Sequence, residues 1–328
     1  MFALLTLPLA LAAAVEDAPT KIFTESGVEI RLQEEVFQLF AALNAAGYSE
    51  ESERRAPPLS APVYHELRVE VRDALRELRD QPVTDEVRKL FEANPYPVED
   101  YLAAMVAGPG DRISDNAKKL RSRLGPLEKF AEAASLTALF DRLAEAQRAL
   151  AKGLSTEIET GLGRAGEVIA DPKFRAPTSM VVIPNPLDSH DAYRSFEIGT
   201  ERFVVVGPGL SSGRDRIVYT AVEPYIRAVV DRNWGVASKW RTHWDGVKLS
   251  KRILRRYKDG KNYMTVALAR ALVHRIGGEE EEADDIFVDE QAREGMRWAR
   301  IANRVWAKAE PGVPFARQAR GLVTKYGP

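Results

Sequence analysis

SFEIGTERFVVVGPG, residues Ser195–Gly209, decides the fold class of this chain. Two β-branched and aromatic runs, Ser195–Ile198 and Arg202–Val206, flank Gly199-Thr200-Glu201, and Gly207-Pro208-Gly209 stops the second run. Runs of this kind on either side of a short glycine turn predict a β-hairpin. Just upstream, Ser179–Pro184 reads SMVVIP, an apolar and β-branched stretch that predicts a buried strand.

Outside this window the apolar residues recur with helical spacing. In Glu29–Leu43 the residues Ile30, Val36, Leu39, Phe40 and Leu43 fall near one helix face. Val63–Leu78 repeats the pattern through Leu67, Val71, Leu75 and Leu78, up to a break at Arg79-Asp80-Gln81-Pro82. Short helices follow over Val87–Phe91 and Val98–Val106, then an Ala-rich helical region over Leu127–Leu154, read as two helices. Beyond the hairpin, helices are expected over Ala221–Arg232, Leu249–Tyr257, Tyr263–Ile276 and Asp289–Ala309. The fold class is therefore α+β, mostly α, with a helical N-terminal layer, a small central sheet or hairpin and a helical C-terminal part. Asp171-Pro172 divides a helical region, 15–170, from a mixed region, 171–328, and the first of these is expected to carry no chemistry.

Composition narrows the function classes. The 328 residues are 45% hydrophobic and 29% charged, enough apolar material for a core that needs no disulfide or metal staple. A formal net charge of -1 argues against duplex nucleic acid as the partner. The absence of cysteine excludes thiol catalysis, disulfides and Cys-ligated zinc. At the N-terminus, MFALLTLPLALAAA (Met1–Ala14) is an apolar run ending in small residues, with small-x-small patterns at Ala10-Leu11-Ala12 and Ala12-Ala13-Ala14. That predicts a cleaved signal peptide over 1–14 and an extracytoplasmic protein, periplasmic or secreted, that is not integral to the membrane after cleavage. The run is too short to span a bilayer, which takes about 20 apolar residues. A buried N-terminal helix is the competing reading.

The order of motifs between Ser179 and Arg275 carries a family resemblance. VVIPNPLDSH (Val181–His190) is followed by the hairpin ending RFVVVGPG, a polar loop, and IVYTAVEPYIRAVVDRN (Ile217–Asn233). NYMTVALARALVHR (Asn262–Arg275) comes later. This order resembles a group of bacterial zinc metallopeptidase-like proteins of the HExxH, gluzincin type. The resemblance implies a zincin-like arrangement, with two histidines and a general-base glutamate on one helix and a third ligand on a later helix. In this chain those positions hold Tyr219, Thr220, Glu223 and Val266. Zinc needs three protein ligands and an open position, and a phenol, a hydroxyl, one carboxylate and a hydrocarbon do not supply them. Thr220-Ala221-Val222-Glu223 also fits a helix capping box, with Pro224 in the first turn. The resemblance thus implies a degenerate, non-catalytic peptidase-like binding protein with no cofactor. Its partner is expected to be an unknown protein, a peptide or an anionic envelope polymer. By analogy with the substrate-pairing strand of active peptidases, Arg202, Phe203, Val204 and Val205 are candidate ligand contacts.

Other clusters of polar and aromatic residues stand beside this one. Between Lys239 and Lys261 about nine Lys and Arg, including Arg255 and Arg256, are interleaved with Trp240, Trp244 and Tyr257. Basic residues mixed with aromatics suit an anionic polymer, while Glu279–Glu282, Asp284 and Asp285 offer internal neutralisation. Asp188-Ser189-His190-Asp191 has the composition of an oxygen-ligated cation site and equally of a polar loop. His65-Glu66 lacks the second histidine, Val69 standing there, and no G-x-S-x-G or phosphate-loop continuation is present. Two alternatives stand beside the binding reading. One is an active hydrolase using Asp188, His190 and Glu223, and the other is an envelope assembly component.

Overall fold

The computed structural model describes residues 21–23, 27–47, 66–169, 180–188, 193–208, 260–277 and 295–306. The chain is α+β and mostly helical, as its periodicity requires. Strands β1 (Lys21–Phe23) and β2 (Glu29–Arg31) lead into α1 (Glu34–Ala46). Then come α2 (Glu66–Ala74), a 3-10 turn (Arg76–Leu78), α3 (Pro82–Ala93), α4 (Val98–Val106), α5 (Asp115–Arg121), α6 (Gly125–Ala133), α7 (Leu136–Arg142) and α8 (Ala144–Ile169). Strands β3 (Met180–Pro184), β4 (Tyr193–Ile198) and β5 (Glu201–Val206) follow, and α9 (Gly260–Gly277) and α10 (Arg297–Trp306) close the described chain. Among the described residues no helix is long and apolar enough to cross a membrane. The expected helices over Ala221–Arg232 and Leu249–Tyr257, and the run Met1–Ala14, lie outside the described residues.

Five strands form one mixed sheet in the order β1-β2-β3-β5-β4. β2, β3 and β5 run parallel, with Ile30 opposite Val182 and Val182 opposite Val204; β1 and β4 are the antiparallel edges. Side chains alternate between faces along a strand. Val181, Ile183, Phe203, Val205 and Phe196 join the core built by α1 to α7. Ile30, Val182 and Val204, all fully buried, point the other way. There α8 crosses β1, β2 and β3 and brings Leu154, Ile158 and Leu162. Burial on both faces explains why MVVIP and FVVV read as continuous apolar runs instead of alternating ones. Beyond α8 lies α9, buried nearly all round from Tyr263 to His274, with α10 packed on it.

Local chemistry sets the ends of the elements. Gly47 terminates α1 at φ 105°, the left-handed region that glycine enters without a Cβ penalty, and its N–H bonds back to the carbonyls of Leu43 and Asn44. Ser114 caps α5 by accepting from the Ala117 N–H at 3.1 Å. In the hairpin, Gly199 has φ 61° at the first turn position, as a two-residue turn of the II′ type requires, and its N–H bonds to the Arg112 carbonyl at 2.8 Å.

Four expectations are corrected. Glu29–Leu43 is not one helix: Val28, Ile30 and Leu32 are buried alternately, the period-two signature of β2, and α1 starts at Glu34. The region 127–154 holds three helices, divided at Ser135 (φ 49°) and Leu143, and the third continues to Ile169. Pro82 does not end a break but opens α3, where its missing N–H costs nothing. The sheet draws strands from both sides of Asp171, so it does not belong to the C-terminal region alone.

Two outcomes follow from this packing. Phe40 is fully buried in the main core, and Phe40→Ala lowers unfolding free energy by about 3–5 kcal/mol in urea titrations. Burial, reinforced by the neighbouring Tyr96, pushes the Tyr101 phenol up to about 12, and its hydroxyl donates to the Asn94 carbonyl at 2.7 Å. The folded state thus holds this proton more tightly than the unfolded state. The associated stability is intact below pH 10.0 and is lost as pH rises through about 12. A tyrosinate absorbance titration shows a component with its midpoint near 12 that is missing in Tyr101→Phe.

Candidate functional site

The turn that follows β3 is held by a buried polar network. Asn44, on the last turn of α1, donates from Nδ2 to the Phe40 carbonyl at 2.7 Å and to the Leu187 carbonyl at 3.0 Å. Its Oδ1 accepts from Arg68 Nε at 2.8 Å and from Arg72 Nε at 3.1 Å. Both donors and both lone pairs of this amide are therefore used. Arg68 is fully buried and reaches the Asp188 carbonyl with Nη1 at 3.3 Å. The Asp188 carboxylate, also fully buried, takes a two-pronged ion pair from Arg194 on β4, at 2.8 and 3.0 Å. Arg194 lies over the Phe40 ring, 5.7 Å from its centroid, with Glu99 at 4.0 Å. Two arginines, a carboxylate and an amide thus lock the β3–β4 connection onto α1 and α2.

On the α8 side of the same turn, a cleft of about 190 Å³ opens at the carboxyl ends of the parallel strands β3 and β5. Such strand ends are where open α/β sheets receive ligands. Leu150, Leu154 and Val206 line it with the rings of Pro184, Pro186 and Pro208, and Glu157 is its acidic residue. Asn185 lines it too. It is 3% exposed, its Oδ1 accepts from the Leu187 N–H at 3.2 Å, and among the described residues its Nδ2 has no hydrogen-bond partner. An unpaired buried amide N–H costs about 1–3 kcal/mol. Gly153 also lines the cleft from the middle of α8, and a Cβ placed there would meet nothing within 4 Å. Glycine inside a helix is destabilising by roughly 0.5–1 kcal/mol relative to alanine, so this position trades stability for open space.

The residues singled out from the sequence fare unequally. Tyr219, Thr220, Glu223, Trp240, Trp244, Arg255, Arg256 and His190 lie outside the described residues. Val266 is 2% exposed in the hydrocarbon packing of α9. The candidate contacts Arg202, Phe203, Val204 and Val205 are corrected. β5 is hydrogen-bonded to β3 on one side and to β4 on the other, leaving no edge for a ligand strand. Phe203, Val204 and Val205 are buried, and Arg202 pairs with Glu197 at 2.6 Å. Val206, at the end of that strand, is the residue that reaches the cleft. Asp188 spends its carboxylate on Arg194, so its role in the described structure is to hold the turn.

Sequence reasoning passed over Asn185, Asn44 and Arg68. Arg68 shares a helix face with Val71 and Leu75, which was a usable sign of burial. The sign for Asn185 was an Asn-Pro pair placed directly after a β-branched run.

No family model matches the chain, and no curated protein or solved structure is significantly similar to it.

Removing one partner of a buried ion pair strands the other charge, whereas replacing both with apolar groups is often tolerated. Asp188→Ala therefore lowers stability by about 3–5 kcal/mol. The double variant Asp188→Leu with Arg194→Met melts above the single variant.

Proposed function

We propose that this chain is an extracytoplasmic, non-catalytic binding protein of peptidase-like organisation. Its ligand is a peptide segment that enters the cleft at the carboxyl ends of β3 and β5. The observation that carries this reading is Asn185, a residue that lines a cleft of proline rings and aliphatic side chains and whose enclosed Nδ2 is unpaired among the described residues, so that a side-chain rotation brings the donor to a ligand. A free N–H donor in apolar surroundings matches a peptide carbonyl flanked by small apolar side chains. At about 190 Å³ the cleft is smaller than the roughly 300–1,000 Å³ usual for whole small molecules. It suits one protruding group of a longer chain.

The degenerate positions support binding without turnover. Val266 stands where the resemblance requires a metal-ligating carboxylate, and it is packed in hydrocarbon. Thr220 does not titrate near neutral pH and cannot replace a general base. Binding here rests on a side-chain donor and apolar walls. It does not rest on strand addition at β5, whose two edges are occupied.

The test uses fluorophore-tagged, acetylated and amidated tetrapeptides of uncharged residues, followed by anisotropy. Saturable binding is expected, with no fragments in mass spectra. Asn185→Asp keeps the acceptor for the Leu187 N–H but removes the donor, and weakens binding about tenfold or more, the equivalent of roughly 1.4 kcal/mol. Gly153→Leu fills the cleft while raising helix stability by about 0.5–1 kcal/mol. This variant melts higher than the parent and binds no peptide. Equal binding by all three proteins, or release of peptide fragments, overturns the reading.

A further inference from the structure

A second cavity, of about 390 Å³, lies between the C-terminal end of α1 and the segment running from α2 into the 3-10 turn. This volume lies within the range of small-molecule sites. Among the described residues Arg72, Arg76 and Arg79 line it, with Asp73 as the one carboxylate. With Arg68 they recur at i, i+4, i+8 and i+11, and the three that line the cavity come from α2, the 3-10 turn and the residue after it. Like charges at i, i+4 destabilise a helix by roughly 0.2–0.5 kcal/mol per pair, so the stripe requires compensation.

That compensation is uneven along the stripe. Arg68 and Arg72 are tied to Asn44. Arg76 pairs with Asp73, but both side chains are largely exposed, and a pair of that kind contributes little. Arg79 is exposed, and among the described residues its guanidinium has no hydrogen-bond or ion-pair partner. Service to the C-terminal dipole of α1 does not account for these cations. The Gly47 N–H already bonds to the Leu43 and Asn44 carbonyls, and Arg88 Nε donates to the Ala46 carbonyl at 3.4 Å. A generally basic chain does not account for them either, since the formal net charge is -1.

We propose that this cavity binds a small polyanion of the phosphate or pyrophosphate class, with Arg76 and Arg79 as its ligands and Arg72 fixing the floor. A guanidinium presents planar, forked donors that match phosphate oxygens two at a time. Asp73 then acts as an internal competitor that holds Arg76 when the anion is absent. This site is separate from the peptide cleft and stands or falls without it.

The test is calorimetric titration of the full chain with inorganic pyrophosphate. A parallel arm uses sedimentation with vesicles of phosphatidylglycerol in phosphatidylcholine, so that a free phosphate compound and a lipid headgroup are told apart. Saturable binding in at least one arm is expected. Arg79→Ala and Arg76→Ala each weaken it about fivefold or more, and Asp73→Asn tightens it about threefold. Lys129→Ala, at an exposed lysine paired with Glu86, leaves it unchanged. Thermal melting confirms that each variant is folded. No binding in either arm overturns the proposal. So does weakening by Lys129→Ala equal to that by Arg79→Ala, which would reveal diffuse attraction and no site.

Discussion

Asn44 satisfies two carbonyls and two arginines from one enclosed side chain, and the turn after β3 is tied to the helical layer through it. Its bond to the Leu187 carbonyl reaches across 143 positions of sequence and fixes the turn after β3. Asp188, next in that turn, is held through its carbonyl by Arg68 and through its carboxylate by Arg194. With the far side of the turn pinned in this way, Asn185 is held where it lines the cleft beside α8. The arrangement is demanding: a charged cluster in the interior is worth keeping only when each member is paired. Here the pairing spans α1, α2, the turn and β4, so the helical layer and the β3–β4 connection, more than 100 residues apart in sequence, must come together before the network is complete.

Much of the fold was legible because the hydrophobic pattern carries it. SMVVIP and RFVVV announced two strands, Gly199 their turn, and the helical spacing most of α1 to α10. What failed was local pattern overruled by pairing. Ile30 fits a helical face with Val36 and Leu39, yet the parallel partner Val182 lies 152 positions away and claims it for β2. No local window contains that partner. The helix boundaries inside 127–154 were missed because Ser135 adopts a left-handed conformation that a serine does not advertise.

The candidate site was less legible, and for a related reason. Arginines on helices are ordinarily solvated, so nothing in their residue type marks Arg68 and Arg72 as the partners of Asn44. Asp188 looked like chemistry from its neighbours Ser189 and His190, but its partner is an arginine six residues on. The strand chosen by analogy as a peptide rail, Arg202–Val206, is an interior strand of the sheet, since its neighbours are β3 and β4. The cleft falls inside the window Ser179–Arg275 but on residues the motif order did not single out, Pro184-Asn185-Pro186 and Val206-Gly207-Pro208. The N-terminal layer, expected to be chemically silent, supplies Asn44 and the arginine-lined cavity.

The central claim is that the unpaired Asn185 amide is the donor that meets a ligand. Its side-chain N–H pair can be assigned in a nitrogen–proton correlation spectrum by its disappearance on replacement with aspartate. Adding a binding tetrapeptide should move that pair progressively downfield until saturation, while the Asn44 amide, fully engaged inside the protein, stays in place. If the Asn185 resonances remain unmoved under saturating peptide, the ligand is held elsewhere and the account fails.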